Sequence, residues 1–309
     1  MAGYNPGSLR IGTSMAIKLL AMVIALAAAH TLPDLARLRQ FGWLAGWAGF
    51  LNGWFGRSNW WAGSLGALLV VGVPVLLLFA LQQALAGAAF GLASLALAVA
   101  TLFYAWGPRD LDLDVEAVVH APDAERRRVA VHMLGAEVPP TGISGTLLVD
   151  AVFSAALTRW FGVLLWFVLL GPAGALLYRI TQLIARHEGF EDALPPPLAA
   201  ACARLERLLN WPAAHLVTLA LAVAADFDAV AGAWRDWHAS RSDGRGLDAG
   251  FLRAAARASV DADIEVADEY VDDSRGALAE MQEAMTLAWR VLVVLGVVLA
   301  LFVLAGRIA

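Results

Sequence analysis

Four carboxylates gather between two apolar stretches of the chain, in Gly107-Pro-Arg-Asp-Leu-Asp-Leu-Asp-Val-Glu116. Asp110, Asp112 and Asp114 supply the hard oxygen donors that Mg²⁺ takes, and Mg²⁺ keeps several of its waters when so held. In a helix Asp110 and Asp114 share one face, while Asp112 and Glu116 share a neighbouring one. The same residues also suit a helix start, where the backbone dipole favours negative charge. Both readings stand on the sequence, a Mg²⁺ site and an acidic helix start.

Arg159 is the second candidate, in Asp150-x-x-x-Ser154-x-x-x-Thr158-Arg159-Trp160. Asp150, Ser154 and Thr158 recur at every fourth position and line one helix face. Arg159 falls on a different face, so it is not an obvious partner for Asp150. An ionised group at the bilayer centre costs roughly 2.5–3.5 kcal/mol. Arg159 is therefore expected to be paired, to snorkel to the interface, or to serve function.

A third group is Asn210-Trp211-Pro212-x-x-His215. Proline suits the first turn of a helix, tryptophan suits the membrane interface, and His215 could titrate near neutral pH. Asp226 and Asp228 close the apolar run that follows. They either mark the helix's exit to water or face a polar cavity. His187 and Glu188 have no second His or Cys at metal-ligand spacing, which argues against zinc. Neither a P-loop nor a G-x-S-x-G pattern occurs.

These residues need elements to hold them, and composition says where. The chain has 309 residues, 60% of them hydrophobic and 16% charged. A soluble domain carries about 25% charged residues, so polar surface is too scarce to coat a water-soluble body. The expected fold class is an all-α, polytopic integral membrane protein. A net charge of −5 argues against nucleic acid, which selects a basic footprint. The one cysteine, Cys202, excludes an internal disulfide.

Helices of roughly 20 apolar residues cross a bilayer. Ile17–Leu32 is a short candidate, with Lys18 placed to snorkel. Phe41–Trp61 carries Trp43, Trp47, Leu51 and Trp54 at helical spacing on one face, which predicts a helix lying on the membrane. Ser64–Gln82 and Gly87–Trp106 form a tight hairpin. Thr146–Tyr178 is too long for one upright span; it predicts an amphipathic or re-entrant segment, then a span from Trp160 to about Leu177. Pro212–Val230 and Leu287–Leu304 bring the set to about six membrane-embedded segments. Residues 1–14 read as a disordered or non-native start, and 15–309 as a single membrane domain.

Lys/Arg bias places Arg37, Arg39, Arg57, Arg109 and Arg126–Arg128 on the cytoplasmic side, and the hairpin tip outside. Past Thr146 the rule conflicts with itself. Arg204 and Arg207 precede Pro212–Val230, and Arg235, Arg253 and Arg257 follow it. Both sides look cytoplasmic, so either that segment is re-entrant or one basic segment breaks the rule.

In Arg159-Trp-Phe-Gly-Val-Leu-Leu-Trp-Phe-Val-Leu-Leu-Gly-Pro-Ala-Gly-Ala-Leu-Leu-Tyr-Arg179 the chain resembles the AmpE branch of the CobD/CbiB-like inner-membrane proteins. The aromatic run, Leu-Gly-Pro, Gly-Ala and Tyr-Arg carry the likeness. Leu209-Asn-Trp-Pro-Ala-Ala-His-Leu216, Ala225-Asp-Phe-Asp228 and the span from Trp289 to Gly306 support it. The resemblance implies a bacterial inner-membrane accessory protein of cell-wall recycling and β-lactamase induction. Its partners would be a muropeptide, a nucleotide or a cytoplasmic AmpD-like amidase, besides membrane lipid. The ligand-binding candidates are then Arg159, Arg179, His187, Asn210, Trp211, His215, Asp226 and Asp228.

The related CbiB enzymes use ATP to join a corrinoid carboxylate to an aminoalcohol, which makes a Mg²⁺- and ATP-dependent amide ligase the alternative. Their Ser-, Glu- and Asn-rich block here reads Phe153-Ser-Ala-Ala-Leu-Thr-Arg159, without Glu or Asn. His215 also stands where relatives commonly have Arg. A muropeptide transporter is a third reading, though no paired broken helices or internal repeat support it.

Overall fold

The computed structural model describes residues 6–31, 39–86, 91–106, 110–140, 142–186, 194–240, 246–268 and 276–308. Among the described residues every regular element is helical. In chain order these are α1 (Pro6–Thr31), α2 (Gly42–Phe55), α3 (Ser64–Ala84), α4 (Leu92–Ala105), α5 (Leu111–Val119), α6 (Ala124–Met133) and α7 (Gly145–Ala156). A π-helical turn, Leu157–Phe161, leads into α8 (Gly162–Leu170). Then follow α9 (Pro172–Ala185), α10 (Pro196–Ala224), α11 (Phe227–Ala239), α12 (Gly250–Asp268) and α13 (Ala277–Ile308).

Among the described residues, four stretches are long and apolar enough to cross a membrane: Ser64–Ala84, Gly145–Leu170, Pro196–Ala224 and Ala277–Gly306. Met15–Ala28 and Leu92–Ala105 are shorter apolar helices. The chain is a polytopic, all-helical membrane protein. It packs as two compact units interleaved in sequence. The first comprises Met1–Pro108, Gly162–Leu209 and Leu299–Ala309; the second comprises Arg109–Phe161 and Asn210–Val298.

In the first unit α2 turns Leu44, Ala48 and Leu51 onto Ala67, Val70 and Val71 of α3, while Trp43, Phe50 and Trp54 stay exposed. The face expected to lie outward is therefore split: Trp43 and Trp54 are exposed, but Leu51 is buried and Trp47 donates to the Val70 carbonyl at 3.1 Å. Trp61 also turns inward: the ring is fully buried, and its indole donates to Asn52 Oδ1 at 2.8 Å.

The expected span from Trp160 to Leu177 is broken at Gly171. There φ is 73° and ψ −154°, a conformation that costs an L side chain dearly and glycine little. Pro172 then opens α9, where its missing N–H is no loss. Gly162 packs on the Tyr178 ring and Gly174 on the Trp166 carbonyl, so α9 doubles back along α8. The Leu-Gly-Pro motif is thus a reversal between two antiparallel helices.

The reversal leaves the last carbonyls of α8 and the first N–H groups of α9 without helical partners. Two side chains from elsewhere meet them. Lys18 donates from Nζ to the Val168 carbonyl at 2.7 Å and is half-buried, so it does not snorkel outward as expected. Gln82 lies across the break, its Nε2 3.5 Å from the Leu170 carbonyl and its Oε1 3.4 Å from the Ala173 N–H. In the same unit Arg39 stacks over the Phe103 ring at 4.2 Å.

In the second unit α5 and α6 pack together, and Arg127 donates to the Val118 and Ala121 carbonyls. Asp150 of α7 meets Arg257 of α12 at 2.9 Å. α11 packs on α12, and Phe251 of α12 is in ring contact with His215, Trp237 and His238.

Close helix contact makes a stability prediction. A Cβ on Gly174 would stand 2.1 Å from the Trp166 carbonyl oxygen, whereas one on Gly232 meets nothing within 4 Å. Overpacking against backbone costs about 1–3 kcal/mol or more, while Gly-to-Ala in an open helix interior gains up to about 1 kcal/mol. Thermal unfolding in detergent should therefore show Gly174→Ala clearly destabilised and Gly232→Ala unchanged or slightly stabilised.

Candidate functional site

The acidic stretch lies at the start of α5. Asp110 holds the N-cap position in extended conformation, with Asp112 and Asp114 in the first turn. That is where the helix dipole favours carboxylates. Asp112 and Asp114 go to different partners. Asp114 is 1% exposed and accepts from Arg159 Nη1 at 2.6 Å. Asp112 accepts from the Trp289 indole at 2.9 Å. Among the described residues, no group of three or more His, Cys, Asp or Glu is placed to hold a metal ion. Asp112 and Asp114 are thus engaged by an indole and an arginine, and all three carboxylates sit where an acidic helix start would place them.

Arg159 is neither snorkelling nor loose. It lies in the π-helical turn, where the extra residue shifts the helix face. Its Nη2 donates to the Met133 carbonyl at 2.9 Å, while Nη1 holds Asp114. One guanidinium thus ties α5 and the end of α6 to the helix that carries it. Thr158 donates back to the Ser154 carbonyl at 3.0 Å, which occupies a backbone acceptor within the same turn. Asp150 goes instead to Arg257, as its different face required.

Beside this pair an open cleft of about 400 Å³ is lined by Asp112, Val115, Glu116, Val119 and His120 of α5 and by Gln282, Met285, Thr286 and Trp289 of α13. One wall is acidic and the other carries an amide, a hydroxyl and an indole. Trp289 is held from both sides, by its bond to Asp112 and by the Trp160 ring at 5.0 Å. Gln282, Thr286, Trp289 and His120 were missed from the sequence. Their signal was there: 282, 286 and 289 repeat on one face of the last helix, at the polar mouth of an apolar span.

The other candidates do not join this cleft. Arg179 is 2% exposed in α9; its Nε donates to the Ala105 carbonyl at 2.6 Å and its Nη1 to Gln182 Oε1. It closes the C-terminal end of α4, where carbonyls lack helical partners and positive charge is favoured. His215 bonds the Trp211 carbonyl at 2.9 Å through Nδ1 and lies between the Trp211 and Phe251 rings. Asn210 is half-buried, and its neighbour Leu209 accepts from the Trp166 indole. Asp226 caps α11 by accepting from the Ala229 N–H at 2.7 Å, and Asp226 and Asp228 are both exposed. They mark the exit to water. His187 lies outside the described residues.

The Asp114–Arg159 pair yields a test. Removing one partner from a buried pair costs about 3–5 kcal/mol, whereas replacing both with apolar groups is often neutral. Unfolding in detergent should show Asp114→Asn strongly destabilised, with part of the loss recovered in Asp114→Leu/Arg159→Met.

Comparison with known proteins follows the same architecture. A family model described as CobD/Cbib protein matches residues 20–288. No curated protein and no solved structure matches the chain.

Proposed function

This chain belongs to the CobD/CbiB family, and from that premise we propose that it acts in the bacterial inner membrane on ligands of the kind that the CbiB enzymes join, a carboxylate and an amine. The family match over residues 20–288 carries the reading. The cleft supports its amine half. Asp112 and Glu116 offer negative charge to an ammonium group. The Trp289 face offers a cation–π contact, which is worth about 0.5–1 kcal/mol at an exposed site. Gln282 and Thr286 can bond a neighbouring hydroxyl. Under this reading Mg²⁺ and ATP are required, as in the CbiB enzymes.

The protein in nanodiscs, given a corrinoid carboxylate, ethanolamine, ATP and Mg²⁺, should yield the amide, detected by mass spectrometry. Asp112→Asn/Glu116→Gln should raise the half-saturating amine concentration at least tenfold. Absence of the amide together with absence of amine binding overturns the reading.

One observation favours a second reading. Asp114 is committed to Arg159, and the Phe153–Arg159 block carries no Glu or Asn. A non-catalytic AmpE-like accessory role in cell-wall recycling needs neither. Under it the same preparation forms no amide, but it binds a muropeptide, a nucleotide or an AmpD-like amidase.

A further inference from the structure

We propose that the second half of α10 and α11 form a helical hairpin lying in the plane of the membrane, its exposed apolar stripe set in the lipid acyl boundary. Length and composition alone class Pro196–Ala224 with the membrane-crossing helices. The rings of Phe251 say otherwise for its second half. His215 of α10 lies 4.3 Å from the Phe251 centroid and His238 of α11 5.8 Å from it. From His215 to Ala224 the helix runs roughly 14 Å, and from Phe227 to His238 roughly 17 Å, at 1.5 Å per residue. Two such arms, joined by a turn at Ala225–Asp226 and ending at one ring, must run antiparallel. The chain therefore leaves this segment at the level where it came in.

The hairpin is two-faced. On α10, Ala213, Ala214, Val217 and Leu221 are buried, while Leu216, Leu219 and Val223 are exposed at 38%, 68% and 74%. These three recur at helical spacing and form one stripe. Phe227, just past the turn, is 65% exposed. Lipid is the occupant that the surroundings select. In the same unit α13 exposes Val293, Val297 and Val298 within its crossing stretch, so the unit already meets acyl chains. At the open end of the hairpin Trp211 and Trp234 are exposed beside Arg235. That combination matches the headgroup layer of an anionic leaflet.

The tip decides between lying flat and standing upright. Asp226 and Asp228 are exposed there, and an upright hairpin would carry both carboxylates into hydrocarbon. Lying flat leaves them among headgroups while the stripe still reaches the acyl chains. The arrangement also removes the charge conflict, since the basic residues before Pro212 and after Val230 then share one side.

Single cysteines at Asp226→Cys, Ser240→Cys and Leu219→Cys, made in the full chain with Cys202→Ala, test this in sealed proteoliposomes. An impermeant maleimide should label positions 226 and 240 from the same face. A nitroxide at 219 should be relaxed by oxygen more than by a water-soluble nickel chelate. Labelling from opposite faces makes α10 a full crossing and overturns the proposal. So does labelling of 226 only after detergent, which signals an upright hairpin. A nitroxide at 219 reached better by nickel, or by neither relaxant, places the stripe in water or under protein and overturns it too.

Discussion

A backbone carbonyl or N–H freed inside a membrane protein must find a partner within the protein, because hydrocarbon offers none. Much of this molecule is arranged around that constraint. The reversal at Gly171 strands the last carbonyls of α8 and the first N–H groups of α9. Lys18 and Gln82, from helices far away in sequence, meet them. The end of α4 strands the Ala105 carbonyl, and Arg179 is buried to meet it. Charge inside the apolar body serves helix ends.

That pattern changes how the remaining polar residues read. In a membrane segment an ionisable side chain is by default a functional hypothesis. Here Lys18, Arg159 and Arg179 have structural partners, and Asp112 and Asp114 at the start of α5 go to an indole and an arginine. Among the described residues, the mouth of α13 offers room for a ligand, where Asp112 and Glu116 face Gln282, Thr286 and Trp289. The binding surface proposed here therefore lies at the polar end of a span and not at its middle. The Asp114–Arg159 pair fixes the helix that supplies its acidic wall.

The helical, membrane-embedded character was legible because it follows from composition and run length. The face of α2 was legible only in part, because Trp43 and Trp54 are exposed while Leu51 at the same spacing is buried. Pairings were not. Asp114 and Arg159 are 2.6 Å apart across 45 positions of sequence, and no local pattern encodes that. Lys18 looked interfacial because its partner, a carbonyl freed by a distant glycine, is a tertiary fact. The Leu-Gly-Pro block was recognisable as a motif, yet its meaning as a reversal depends on the positive φ of Gly171 and on the close packing of Gly162 and Gly174. The two interleaved units left no linker to read, since each is assembled from separated stretches of chain.

The central claim, that intramembrane polar side chains close helix ends, is tested most directly by Lys18→Met, Gln82→Leu and Arg179→Met, measured by chemical unfolding in lipid–detergent micelles with no ligand present. Leaving a buried backbone group unsatisfied costs about 1–3 kcal/mol, so each variant should lose stability on that scale. The account is contradicted if all three unfold like the parent protein and differ from it only in ligand binding.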